Sequence, residues 1–160
     1  MGDIYKRPFD LDPALSFDSP LLSSLLAYWR EKCAGRAMPA RADIDPTDRA
    51  LRPHLGYIVL TDVLRPPVRF RFRLIGSELT RLVGRDSTGR YMDELYAPED
   101  YTNATVAYSW VVQHRAPLRI LGDLRHANRE WLKMESLDLP ISNDQVAVDM
   151  ILTRSVISGA

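Results

Sequence analysis

The sequence predicts an α+β domain: a five-stranded antiparallel sheet with helices over one face and an N-terminal helical extension. Three observations predict it. The 160 residues, 46% hydrophobic and 26% charged, suffice for one buried core in one globular domain. Several segments alternate or are β-rich and are joined by short turns, which pairs neighbouring strands antiparallel. Two segments repeat apolar residues at helical spacing, one ahead of the strands and one between them.

Residues 1–18 mix Pro8, Pro13 and scattered Asp without either periodicity, and are expected to form a flexible arm. Ser19 then offers an N-cap with Pro20 at the first helical position, and Leu22, Leu25, Leu26 and Trp29 recur at helical spacing until Gly35. A helix over about 20–34 follows, and Asp45 before Pro46 predicts a short helix near 46–52. YIVLTDVL reads as a strand, RPP as a turn and VRFRFRLIG as an alternating strand, together a hairpin. SELTRLVG is a short helical pattern, and RDSTGRYMDELY a loop with one further turn. Pro98, Glu99 and Asp100 open a longer helix that places Tyr101, Ala104, Tyr108 and Val111 on one face and ends before Pro117. LRILGDL, EWLKMESLDLPI and QVAVDMILTRSV read as three more strands, the last two joined by a tight turn at Asn143 and Asp144.

Two strands, a run of helices and three strands is the order of elements in PAS domains. The segments LLAYWREKCAGRAMPARADIDP and FRFRLIGSELTRLVGRDSTGRYMDEL, with Tyr28, Trp29, Pro39, Arg41, Asp43, Asp45, Pro46, Arg73, Leu74 and Gly76, resemble a bacterial subgroup of stand-alone PAS-like proteins over about residues 20–155. The resemblance implies a sheet in PAS strand order, a frame for small-ligand sensing and protein contact, and a signal passed on by contact with another protein. It divides the chain into the flexible arm (1–18), an N-terminal helical extension (19–56) and a PAS-like core (57–157). The cysteine motif of flavin photosensors is not visible, and Cys33 lies outside that core.

Twenty-one Lys plus Arg balance twenty-one Asp plus Glu, which excludes a global field for nucleic acid or an anionic membrane. The single Cys33 allows neither an intrachain disulfide nor a cysteine-based metal cluster. The N-terminus lacks an apolar signal core and no stretch approaches the roughly 18 apolar residues of a membrane span, so a cytoplasmic location is expected. Eighteen of the 21 basic residues are Arg, a skew ascribed to codon usage.

Each candidate site has a plain structural counterpart. His114, near the end of the long helix, is where PAS haem sensors often carry a ligand, yet a histidine in a last turn is favoured by the helix dipole alone; with His54 and His126 it forms no zinc spacing. No cofactor and no metal are expected, haem through His114 being the minor alternative. Asp43, Asp45 and Asp48 lack the ligand series of a calcium loop, and Asp45 reads as a helix cap with Arg41 or Arg49 as ionic neighbours. Gly76, Gly84 and Gly89 do not have phosphate-loop spacing. Arg69, Arg71 and Arg73 alternate with Phe70, Phe72 and Leu74, which predicts three guanidiniums on a solvated face paired to neighbouring carboxylates and three apolar side chains on the other. Asp149 and Glu135 are the available carboxylate pair, and no nucleophile elbow is present.

A ligand pocket, if open, is expected between the sheet and the central helices, lined by Phe70, Phe72, Leu74, Leu79, Leu82, Tyr101, Ala104, Tyr108 and Val111, with Trp131 or Met134. Leu22, Leu25, Leu26 and Trp29 are the interface candidates, an apolar stripe outside the core that a two-fold homodimer would cover. The expected function is that of a non-catalytic sensory or regulatory domain acting through a small apolar ligand, an unidentified signalling protein partner, or both. The alternatives are a small pocket enzyme of the ketosteroid-isomerase type and a purely structural interaction module. A hollow with a buried carboxylate or histidine of displaced pKa favours the enzyme; a closed apolar core favours the interaction module.

Overall fold

The computed structural model describes residues 9–124 and 129–158, and the side chains of 9–122 and 133–157. Its elements in chain order are β1 (Asp10–Asp12), α1 (Pro20–Cys33), two 3₁₀ turns (Arg41–Asp43 and Arg52–Tyr57), β2 (Ile58–Leu64), β3 (Arg69–Ile75), α2 (Ser77–Val83), α3 (Met92–Leu95), α4 (Pro98–His114), β4 (Leu118–Leu124), β5 (Arg129–Ile141) and β6 (Met150–Ser158). The strands form one antiparallel sheet in the order β1-β4-β5-β6-β2-β3.

Alternation within the paired strands assigns two faces. Leu60, Leu152 and Leu139 lie in one row and Leu137 beside Arg154 in the next, all on what we call the outer face. Thr61 and Ile151, then Thr153 and Asp138, belong to the inner face, over which α4 lies, Tyr108 reaching Thr61 and Thr153. The fully buried Leu137, Leu139 and Leu152 require cover, and α1 supplies it. Helices therefore cover both faces of the sheet, where the sequence predicts one.

This corrects the reading of Leu22, Leu25, Leu26 and Trp29 as interface residues. All four are buried within the subunit, Leu22 and Leu25 completely, and Trp29 Nε1 donates a hydrogen bond to the Pro140 carbonyl at 2.8 Å. The expectation rested on the arginine-bearing face of β3, but β3 is an edge strand; the central β5 and β6 present leucines on that side. The stripe thus gives no ground for a dimer.

The expected arm is also corrected for its described part. Asp10–Asp12 pairs with Leu121–Arg119 of β4, and the chain from Asp12 to Ser19 is anchored by buried charge. Arg119, 6% exposed, donates to Asp12 at 3.0 Å and to Glu135 at 2.7 Å, while Glu135 accepts the amide N–H groups of Asp18 (3.0 Å) and Ser19 (2.9 Å). Ser19 does precede α1 in extended backbone, with Pro20 at its first position, but its side chain makes no cap bond. Gly122 permits the docking: a Cβ there would meet the Phe9 ring at 2.7 Å.

Two local expectations fail for capping reasons. Residues 46–51 form no helix, Asp45 closing an Asx turn onto Thr47, and the second 3₁₀ turn begins only at Arg52. The stretch from 142 to 149 is a loop rather than a tight turn plus strand: Asp144 accepts the amides of Val146 and Ala147, Gln145 has φ +64°, and β6 starts only at Met150.

Candidate functional site

The inner face of the sheet is less apolar than a plain core. Along β2, β5 and β6 it carries Thr61, Asp138, Ser136, Thr153 and Ser155, and α4 sets Tyr108 above them. Thr153 Oγ1 donates to Asp138 Oδ1 at 2.7 Å and lies 3.4 Å from the Tyr108 hydroxyl, which is 3.3 Å from Thr61 Oγ1. Ser136 and Ser155 join through their hydroxyls at 2.6 Å. Period-two alternation explains the row: residues 136 and 138, like 153 and 155, point to one face.

Two hollows lie between this face and the helices. The larger, about 220 Å³, is lined chiefly by Val59, Phe72, Ile75, Leu79, Met92 and Tyr96, and the smaller, about 130 Å³, contains Asp138, Ser136 and Met134. They share Ala104, Tyr108, Thr153 and Ser155, so the polar row forms a common wall. Phe9, from the segment docked over Gly122, lines the smaller one.

Asp138 is 2% exposed and accepts one described hydrogen bond, that from Thr153. Burial disfavours its charged form and, against the opposing Thr153 bond, pushes its pKa up to about 7. Glu135, three residues earlier and therefore on the outer face, behaves oppositely. Burial opposes its charge, but the Asp18 and Ser19 amides and the Arg119 guanidinium hold its carboxyl below the ordinary value. Glu135 and Asp149 do not form a pair: Asp149 accepts the Asn143 amide at 2.7 Å, at the loop before β6. The buried carboxylate on the inner face is Asp138, which is absent from the expected site residues although alternation places it among the serines and threonines of β5 and β6.

Of the expected pocket residues, Phe72, Leu79, Ala104, Tyr108 and Met134 line the hollows. Phe70 is buried behind them with its ring 5.4 Å from that of Tyr108, and Tyr101 packs at the core margin. Val111 is fully buried and fills core rather than hollow. Leu82, 70% exposed, faces solvent from α2. The Trp131 side chain lies outside the described residues.

Leu74 is corrected by register. Thr61 pairs with Phe72 but Leu60 with Leu74, leaving Arg73 as the extra residue of a bulge. One added residue reverses the alternation, so Leu74 turns to the outer face, 41% exposed, and Ile75 takes its place against the larger hollow. Arg69 and Arg71 do find carboxylates, Asp93 of α3 and Asp62 of β2, at 2.7 and 2.9 Å; Arg73 stands 3.4 Å from Asp62.

The other titratable candidates are elsewhere. His114 is exposed at the end of α4, stacked on Trp110 with Nδ1 2.9 Å from the Trp110 carbonyl oxygen, and lines neither hollow. His54 is buried in the second 3₁₀ turn, its Nδ1 accepting from Arg154 at 3.4 Å; burial first, then the Arg154 charge, lowers its pKa. His126 lies outside the described residues. Asp45, expected beside Arg41 or Arg49, instead accepts from the Thr47 amide and hydroxyl, while Asp43 and Asp48 pair with Arg36 (2.6 Å) and Lys32 (2.9 Å). Among the described residues no group of three His, Cys, Asp or Glu side chains converges to hold a metal ion.

No curated protein matches the chain. A solved structure, described as the structure of an RNA-binding Light-Oxygen-Voltage receptor, is similar with a TM-score of 0.43 and 16% identity over 71% of this chain; the chain spans 35% of that protein's length. The family model described as "PAS domain" matches residues 17–154, taking in α1, the strands β2 to β5, the first part of β6 and most of the residues that line both hollows; this chain belongs to the PAS domain family.

Proposed function

We propose that the domain is a sensory module that holds a small molecule between the inner sheet face and α2, α3 and α4, and that its occupancy is read by a protein partner in the cytoplasm. The observation that supports this reading is the shared polar wall of Tyr108, Thr153 and Ser155 between two hollows. A core that only stabilised the fold would place apolar side chains there. Apolar lining with a few convergent polar groups is the usual composition of a small-molecule site.

Native mass spectrometry of the purified chain, followed by extraction and identification of bound small molecules, tests the proposal. A stoichiometric adduct lost on changing Tyr108→Ala is expected, without a visible absorption band. Repeated purification from different hosts with no adduct, together with no shift in melting temperature across a diverse small-molecule library, refutes it.

A second reading has one specific support. A buried carboxylate with pKa near 7 inside a hollow suits a general base, as in a small pocket enzyme that abstracts a proton. Turnover of a carbonyl substrate that follows the titration of Asp138 and is lost in Asp138→Asn would favour this reading over sensing.

A further inference from the structure

The polar wall is chemically one-sided. The single hydroxyl proton of Thr153 is directed to Asp138 Oδ1, and no described residue donates to Oδ2. Leu118 of β4 and Thr153 of β6 flank Asp138 in the sheet, and Tyr108 and Asn103 of α4 share the smaller hollow with it. Tyr108 is the one titratable side chain among these, and none of the described residues lining the smaller hollow carries a positive charge; Arg85, just after α2, lines the larger one, whose lining does not include Asp138. The arginines with carboxylate partners lie elsewhere: Arg119 on the outer face, and Arg69, Arg71 and Arg73 at the β3 edge.

A carboxyl group buried in this way has two resting solutions. It keeps its proton, or it acquires a donor cation from outside. The hollow leaves room for the second. An apolar cavity of about 150 Å³ accommodates one benzene ring, and the larger hollow here, about 220 Å³, shares Tyr108 and Thr153 with the smaller one that contains Asp138. An aromatic ring would occupy the apolar part while a substituent reaches along Tyr108 and Thr153 to the carboxylate.

We propose that the hollow selects small planar molecules bearing a cationic N–H donor group, such as an amidine or an amino-substituted nitrogen heterocycle, with Asp138 as the carboxylate that receives it. The inference rests on the ligand-binding reading above and adds the class of ligand. The cation takes the place of the acid proton, which leaves to solvent, so binding is proton-linked. With the carboxyl titrating near pH 7, affinity for a permanently charged ligand rises as pH increases through that range and levels off above it.

Calorimetric titration of the full chain with benzamidine, benzamide and benzene tests this. Benzamidine is expected to bind at least about tenfold more tightly than benzamide at pH 8, with the preference shrinking severalfold by pH 5.5. In Asp138→Asn the preference should vanish while benzamide still binds. Equal affinities for benzamidine and benzamide, or a preference unchanged in Asp138→Asn, overturn the proposal. The pH series on the unmodified protein decides it even if the variant does not fold: a preference that does not fall on acidification also overturns it. Binding of benzene or benzamide without benzamidine removes the ligand class alone, whereas binding of none of the three counts against the cavity reading as well.

Discussion

Trp29 Nε1 donates to the carbonyl oxygen of Pro140 across 111 residues of sequence, fastening α1 to β5. The bond lies within a buried apolar layer, where an unmet carbonyl costs about 1–3 kcal/mol. Trp29→Phe should lose that amount, and Leu25→Ala, at a fully buried position, about 2–5 kcal/mol. Urea denaturation of each variant measures this. The double change Leu25→Asp plus Trp29→Ala should yield an unfolded chain, and a folded monomer would show that α1 is dispensable to the core.

Gly76, between β3 and α2, lies against the backbone of Gly56 and Tyr57. A Cβ there would overlap the Gly56 carbonyl and approach Tyr57 N to 2.8 Å, and neither is a flexible side chain that can move aside. Gly76→Ala should therefore cost about 3 kcal/mol or more, at the upper end for overpacking. The melting temperature of the variant, with m-value unchanged in urea, is the check.

Asp138 makes stability depend on pH in an unusual direction. Its carboxyl has pKa about 7 in the fold against 3.8 in the unfolded chain, so between those values the folded state holds a proton that the unfolded state has lost. Stability from this group is complete below about pH 4, falls as pH rises through 7 and is level above. The expected total is roughly 4 kcal/mol. Asp138→Asn removes the slope, so its unfolding free energy relative to the unmodified protein should climb from pH 4 to 7. A difference independent of pH would count against the buried acid.

Arg119 and Glu135 test the N-terminal clamp. Removing the guanidinium leaves Glu135, 8% exposed, with two amide donors and no cation. Arg119→Met should cost about 3 kcal/mol and release the segment from Phe9 to Asp18. Hydrogen exchange at Leu11 and Asp12, fast in the variant and slow in the parent, reports that release. Arg119→Met paired with Glu135→Met should recover part of the loss, since no buried charge is then left alone.

The sequence by itself determined most of the elements and their kind, β1, the 46–52 segment and the start of β6 excepted. Ser19 and Pro20 start α1, the alternation of RFRFRL makes an edge strand, and acidic residues open α4 where they stand, because propensity, capping and periodicity are local properties. The order of elements and the PAS resemblance followed from the same local signals. Only the tertiary structure decided what those elements face. The stripe of Leu22, Leu25, Leu26 and Trp29 reads equally as a dimer surface or as core, and the leucines of β5 and β6 that decide between them lie more than a hundred residues away. The bulge at Arg73 is likewise invisible in an alternating run, since register belongs to two strands and not to one; it exchanges Leu74 for Ile75 in the pocket wall. Asp138 was legible as a strand residue, but its raised pKa arises from burial beside Thr153 and beneath Tyr108, a solvation effect that exists only once β5, β6 and α4 have enclosed it.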